Sequence, residues 1–142
     1  MSCTAKLLAV FICYTYPMSL VISSTVKRFP PHPYAEIANA ILGKRYELSL
    51  VFVGTQRATT LNKTYRQKTY SPNVLSFPLD ESHGEIFICP QVAAREAAEC
   101  SLSPAGYVAF LFIHGCLHLK GHAHGDTMDT LELKFVRKFN IS

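Results

Sequence analysis

Four of the six histidines in this 142-residue chain fall between His114 and His124, in the stretch "IHGCLHLKGHAHGD". His114 and His118 are four apart, so on an α-helix their rings share one face, a turn apart, and point at a common centre. Gly121 is placed to end such a helix, after which the chain can fold back and bring a third imidazole over the same face. His124 sits where that turn would deliver it. The same turn could instead present His122, and only the spacing, with the third histidine ten positions after the first, favours His124 as the ligand. Three neutral imidazoles with one open position make a catalytic rather than a structural zinc site, in which the metal lowers the pKa of its water to about 7.

The spacing H-x-x-x-H-x-x-G-x-x-H is the framework of the metzincin type of zinc site. The residues just before it, "YVAFLFI" from Tyr107 to Ile113, are all apolar, which predicts a buried helix. Burying an imidazole without a partner costs about 2 kcal/mol or more, and a metal supplies partners to several at once. One Zn²⁺ per chain is expected, although a three-histidine site also accepts nickel, copper or iron. Cys116 lies two residues from each helical ligand, on the opposite side, and is expected in the core. A metalloprotease of this framework carries a glutamate directly after the first histidine as general base. Here that position is Gly115, which argues against peptide hydrolysis by that route.

These residues need a scaffold, and its elements are legible in outline. Ser19 to Ser23 alternates as a first strand; three prolines in "RFPPHPY" break the backbone before the amphipathic helix "YAEIANAILG", closed by Gly43. "YELSLVFVG" is a second strand with Leu48, Leu50 and Phe52 on one face. Thr55 is a candidate N-cap for a helix that places Ala58, Leu61 and Tyr65 on one stripe, with Asn62 and Arg66 on another face. "NVLSFPL" and "GEIFIC" predict adjacent strands around the acidic turn "DESHG". Pro90 starts a helix through "QVAAREAAEC", Ser103 caps the long helix ended by Gly121, and "TMDTLELKFVRKF" is a last helix with Met128, Leu131, Phe135 and Val136 inward. The expected fold class is α+β: a small mixed β-sheet of about four strands packed with helices, the zinc site on a buried central helix and the loop after it.

Composition sets further bounds. With 49% hydrophobic and 17% charged residues the chain is globular rather than disordered, and no stretch repeats or falls into low complexity. Residues 18–142 are expected to form a single domain. Residues 1–17 read as an over-extended start or a leader segment; "AKLLAVFICYTY" is too short to span a bilayer, and no membrane association is expected. Five scattered cysteines without a C-x-x-C pair suit the reduced thiols of a cytoplasmic protein. The net charge is +4. No Asp or Glu occurs from Leu48 to Leu79, while Arg57, Lys63, Arg66 and Lys68 crowd that window, a one-signed field suited to a phosphate-bearing partner.

Taken together, the chain resembles the YbeY-type rRNA maturation factors, single-strand-specific metal-dependent endoribonucleases of bacteria. "HGCLHLKGHAH" is similar to the family signature H-G-x-L-H-L-x-G-[YF]-D-H, and "LNKTYRQKTYSPNVLSFP" to its second block, L-N-x-x-Y-R-x-K-D-x-P-T-[DN]-V-L-S-F-P. "GEIFIC" followed by Pro90 and "VAAREA" is similar to a third stretch, and the likeness runs from about Ser19 to Phe139. It implies zinc on His114, His118 and His124, and Arg66 as a catalytic residue in the neighbouring cleft, stabilising the charge that phosphodiester cleavage builds. Lys68, Asn62, Asn73 and Ser76 are weaker candidates for the same RNA-binding cleft, with Arg57 and Lys63 added on charge. The implied partners are single-stranded RNA, rRNA and the small ribosomal subunit; the implied role is late 16S rRNA 3′-end processing and ribosome quality control. Ala123 replaces the family's Asp before the third histidine, His122 its aromatic, Thr69 another Asp, and Ser71-Pro72 its Pro-Thr. Without that Asp, one hydrogen bond that could orient a ligand ring from behind is missing, and Asp126 or His122 could replace it. Two other readings stay open: a zinc-containing ribosome-biogenesis RNA-binding factor with little nuclease activity, or a metallohydrolase of another substrate.

Overall fold

A computed structural model of the chain describes residues 19–142, so the segment 1–17 discussed above lies outside the described residues. Four strands, β1 (Leu20–Ser24), β2 (Glu47–Phe52), β3 (Val74–Pro78) and β4 (His83–Ile88), form one sheet in the order β1-β2-β4-β3. The first two pairings are parallel and β3 runs antiparallel to β4, so the sheet is mixed. Register puts Leu48 beside Gly84, Leu50 beside Ile86 and Phe52 beside Ile88. All six are buried on one face, as period-two alternation requires of a half-covered sheet.

The helices are α1 (Tyr34–Leu42), α2 (Thr55–Arg66), α3 (Pro90–Glu96), α4 (Pro104–Lys120) and α5 (Asp126–Lys138). Helix α4 is central and packs against α1, α3, α5, β3 and β4. Ten of its 17 residues are buried, from Gly106 to Leu117, which is why its sequence is apolar nearly all round. Its ends follow sequence rules. Ser103 Oγ accepts the Gly106 N–H at 2.9 Å with Pro104 in the first turn. At the other end the Gly121 N–H bonds the His118 carbonyl and the His122 N–H bonds the Leu117 carbonyl, a Schellman turn with Gly121 at φ 107°. Among the described residues no single helix is long and apolar enough to cross a membrane.

Several local expectations are corrected. Thr55 is the first residue of α2 rather than its cap; Gly54 precedes it in extended conformation with no side-chain capping bond. The inward positions of α2 are Ala58 and Asn62, while Tyr65 is 63% exposed and Leu61 half-buried. Tyr65, seven residues after Ala58, shares its side of the helix but stands in the last turn, where its ring meets Phe77 and is otherwise open. The helix from Pro90 stops at Glu96 and tightens into a 3₁₀ turn, Ala97–Cys100, closed by Ser101 at φ 55°. In α5 the buried residues are Met128, Glu132 and Phe135, with Leu131 and Val136 packed only at the edge of the core.

Candidate metal centre

The rings of His114, His118 and His124 meet at the C-terminal end of α4. One ring nitrogen from each lies within 4.8 Å of the others. His114 and His118 project from consecutive turns of the helix, and the Schellman turn at Gly121 reverses the chain so that His124 returns over them. Ring centroids are 4.5 Å apart for His114 and His118, 4.6 Å for His118 and His124, and 5.1 Å for His114 and His124. His122 is not in the cluster. Its backbone carbonyl accepts a hydrogen bond from His118 Nδ1 at 2.9 Å, so it orients a ring through its main chain.

Hydrogen bonding decides which nitrogens are available. A carbonyl oxygen only accepts, so His118 Nδ1 carries the proton and its Nε2 carries a lone pair. His114 Nδ1 donates to Glu132 Oε1 at 2.8 Å, an arrangement that in the neutral ring puts the lone pair on Nε2 as well. Burial, reinforced by the nearby His114 ring, pulls the His118 pKa below its ordinary value and keeps that ring neutral. The two Nε2 atoms are 3.0 Å apart. Neutral rings with these tautomers oppose two lone pairs at that separation, a repulsion that a cation between them converts into two bonds. The donor set therefore fits a metal ion, with acceptors already placed behind its two helical ligands, His114 and His118.

Glu132 was missed by sequence reasoning. It is a carboxylate only 8% exposed on α5, and its partner is His114. The signal for it was its place in "MDTLELKF": it falls four after Met128 and three before Phe135, on the helix's apolar stripe, where a charged residue requires a partner. Asp126, one of the residues expected to support the rings, is exposed at the first position of α5 and makes no side-chain hydrogen bond among the described residues. Ala123 is exposed, and the carboxylate serving the ring nitrogens comes from α5.

A cleft of about 520 Å³ opens beside the cluster, lined by the three histidines, Gly115, Arg66, Asn73 and the first four residues of β3, Val74 to Phe77. Arg66 reaches it from the last turn of α2, which Gln67 ends in left-handed conformation. Among the described residues Arg66, Arg57, Lys63 and Lys68 form no ion pair. Arg57, Lys63 and Lys68 are exposed outside the cleft lining. Asn62 is fully buried and its side-chain amide donates to the Tyr70 carbonyl, so it braces the turn after α2 instead of facing the cleft. Asn73 reaches the lining, but its amide is bonded to Glu96 at 2.8 Å. Ser76 donates to the Gly115 carbonyl at 2.9 Å and ties β3 to α4 between the two helical ligands. Among the described residues no Asp or Glu lines the cleft.

The family model described as endoribonuclease YbeY matches residues 27–139 of the chain. A protein from Neisseria meningitidis serogroup B named endoribonuclease YbeY is 36% identical over 110 residues, 66% of this chain and 65% of that protein. One of the same name from Methylobacillus flagellatus is 36% identical over 107 residues, 73% of this chain and 72% of the relative. The aligned stretch thus spans slightly less than two thirds of the meningococcal relative. The solution structure of TM1509 from Thermotoga maritima shares the fold, with a TM-score of 0.61 and 23% identity over 84% of this chain and 88% of that one.

Proposed function

This chain belongs to the endoribonuclease YbeY family, and on that premise we propose that it is a zinc-dependent endoribonuclease of single-stranded RNA, acting in late 16S rRNA 3′-end processing and ribosome quality control. One observation carries the reading: three convergent imidazoles and the Arg66 guanidinium, which has no ion-pair partner among the described residues, share one cleft. His114, His118 and His124 would hold the metal, which when bound supplies Lewis acidity toward a phosphoryl oxygen or a water. Arg66 binds the scissile phosphate and offsets the negative charge that grows on it during cleavage. Glu132 and the His122 carbonyl hold the ligand rings in orientation, and the basic groups of α2 retain the flanking backbone. The substrate is then rRNA of the small ribosomal subunit, and the place of action the cytoplasm.

That no carboxylate among the described residues lines the cleft favours a second reading, a zinc-containing RNA-binding factor of ribosome biogenesis with little nuclease activity. One comparison separates the two. Metal-loaded wild type, His114→Ala and Arg66→Ala are each offered single-stranded RNA, duplex RNA and a generic peptide. Cleavage confined to single-stranded RNA and abolished in both variants is the expected result. Tight RNA binding by wild type without cleavage would instead establish the binding factor, and peptide cleavage would overturn both.

A further inference from the structure

We propose that Tyr65 and Phe77 form a ledge at the rim of the cleft on which an unpaired base of single-stranded RNA stacks. The proposal rests on the nuclease reading above and names how the cleft selects single strands.

Tyr65 is 63% exposed, yet it is not a loose side chain. Its ring rests on Phe77 at a centroid distance of 5.2 Å, and Phe77 rests on Phe87 at 5.9 Å. Phe87 in turn packs on the small cluster of Val53, Ala58, Cys89 and Val92 that fastens α2 to the sheet. Three rings thus run from the interior outward and end in an open aromatic face. The Tyr65 hydroxyl has no hydrogen-bond partner among the described residues, so no internal bond of that group accounts for its position.

The ledge borders the candidate site. Phe77 lines the cleft with the three histidines, and Arg66, the residue after Tyr65, lines it too. The helix that carries Tyr65 ends in Lys63 and Arg66, neither of them ion-paired among the described residues, within a stretch that has no acidic residue. An open aromatic face beside unpaired cations suits a ligand with alternating anionic and flat apolar parts, which describes single-stranded nucleic acid. In a duplex the faces of the bases are already covered by their neighbours, so the ledge would distinguish the two forms without reading sequence.

The test uses short single-stranded RNAs with 2-aminopurine scanned through each position, and matching duplexes, bound to the full chain. Wild type is expected to quench the fluorophore at one position. Tyr65→Leu, which keeps an apolar side chain but no π-face, should abolish that quenching and weaken single-strand binding about tenfold, leaving duplex binding and the salt dependence unchanged. Tyr65→Phe should behave as wild type. Equal quenching and affinity in Tyr65→Leu, with RNA binding by wild type intact, would overturn the ledge alone. A weakening that extends equally to duplex RNA would overturn it as well. Failure of wild type to bind any RNA would overturn the ledge together with the nuclease reading.

Discussion

At the scale of single residues, the candidate centre is organised from behind its ligands. His114 and His118 each spend one nitrogen on a fixed acceptor, Glu132 Oε1 and the His122 carbonyl, and thereby expose the other. Removing such a support commonly lowers metal affinity by about 10- to 100-fold. Glu132→Ala is therefore expected to weaken zinc binding by that amount in a competitive chelator titration, with Glu132→Gln, which retains an acceptor oxygen, intermediate. Among the described residues His122 contributes to the cluster through its main-chain carbonyl alone. His122→Ala should keep about one metal per chain by elemental analysis, whereas His124→Ala should lose most of it. If the outcome were reversed, the third ligand would be His122 and the assignment from geometry would be wrong.

At the scale of elements, the site depends on how closely α4 lies on β4. A Cβ at Gly115 would sit 3.1 Å from Ile86 Cδ1, and Ile86 is fully buried with little room to yield. The close approach of helix and sheet thus disfavours a side chain at this position, a glutamate included, because Ile86 would have to shift by a few tenths of an ångström. Alanine gains roughly 1 kcal/mol in helix propensity over glycine, but overpacking a rigid core costs about 1–3 kcal/mol. Gly115→Ala should be destabilised by about 1 kcal/mol in denaturant unfolding, and Ile86→Val added to it should recover part of the deficit. A second prediction concerns the far end of the strands, where His83 bridges Glu47 and Asp80 at 2.7 Å each. Its hydrogen bond to Asp80 raises the His83 pKa above its ordinary value of about 6.5. A raised folded pKa means the folded state holds the proton more tightly than the unfolded chain. The stabilisation is complete below about pH 6.5 and fades as pH rises through the raised value. The Tm difference between wild type and His83→Gln should follow that course and shrink with added salt, since all three side chains are exposed.

At the scale of the whole molecule, the charge is placed rather than spread. The net charge is only +4, but the acid-free stretch from Leu48 to Leu79 contributes both Arg66 in the cleft and the exposed Arg57, Lys63 and Lys68. Affinity for single-stranded RNA should fall steeply with ionic strength, and each phosphate that is no longer neutralised should make the slope of log K against log salt shallower by about 0.7. Arg57→Gln and Lys63→Gln together should reduce the slope by about 1.4 for any RNA sequence, without altering metal content. An unchanged slope would remove these two side chains from the interface.

The sequence by itself determined the strands, the buried central helix, its two ends and the convergence of three histidines. All of these follow from local rules: period-two alternation, a Ser-Pro start, a glycine stop, and the four-residue repeat of a helix face. The family pattern supplied Arg66, and the structure brings it into the same cleft as the histidines. Only the tertiary structure decided the rest. Glu132 supports His114 across 18 positions of chain, a pairing set by how α5 packs on α4 and invisible to any local pattern. Asn62, expected in the cleft, is buried, and Tyr65, expected on the stripe with Ala58, is exposed, because partners outside α2, the Tyr70 carbonyl for the amide and Phe77 for the ring, and not the helix's own periodicity, set where each side chain goes.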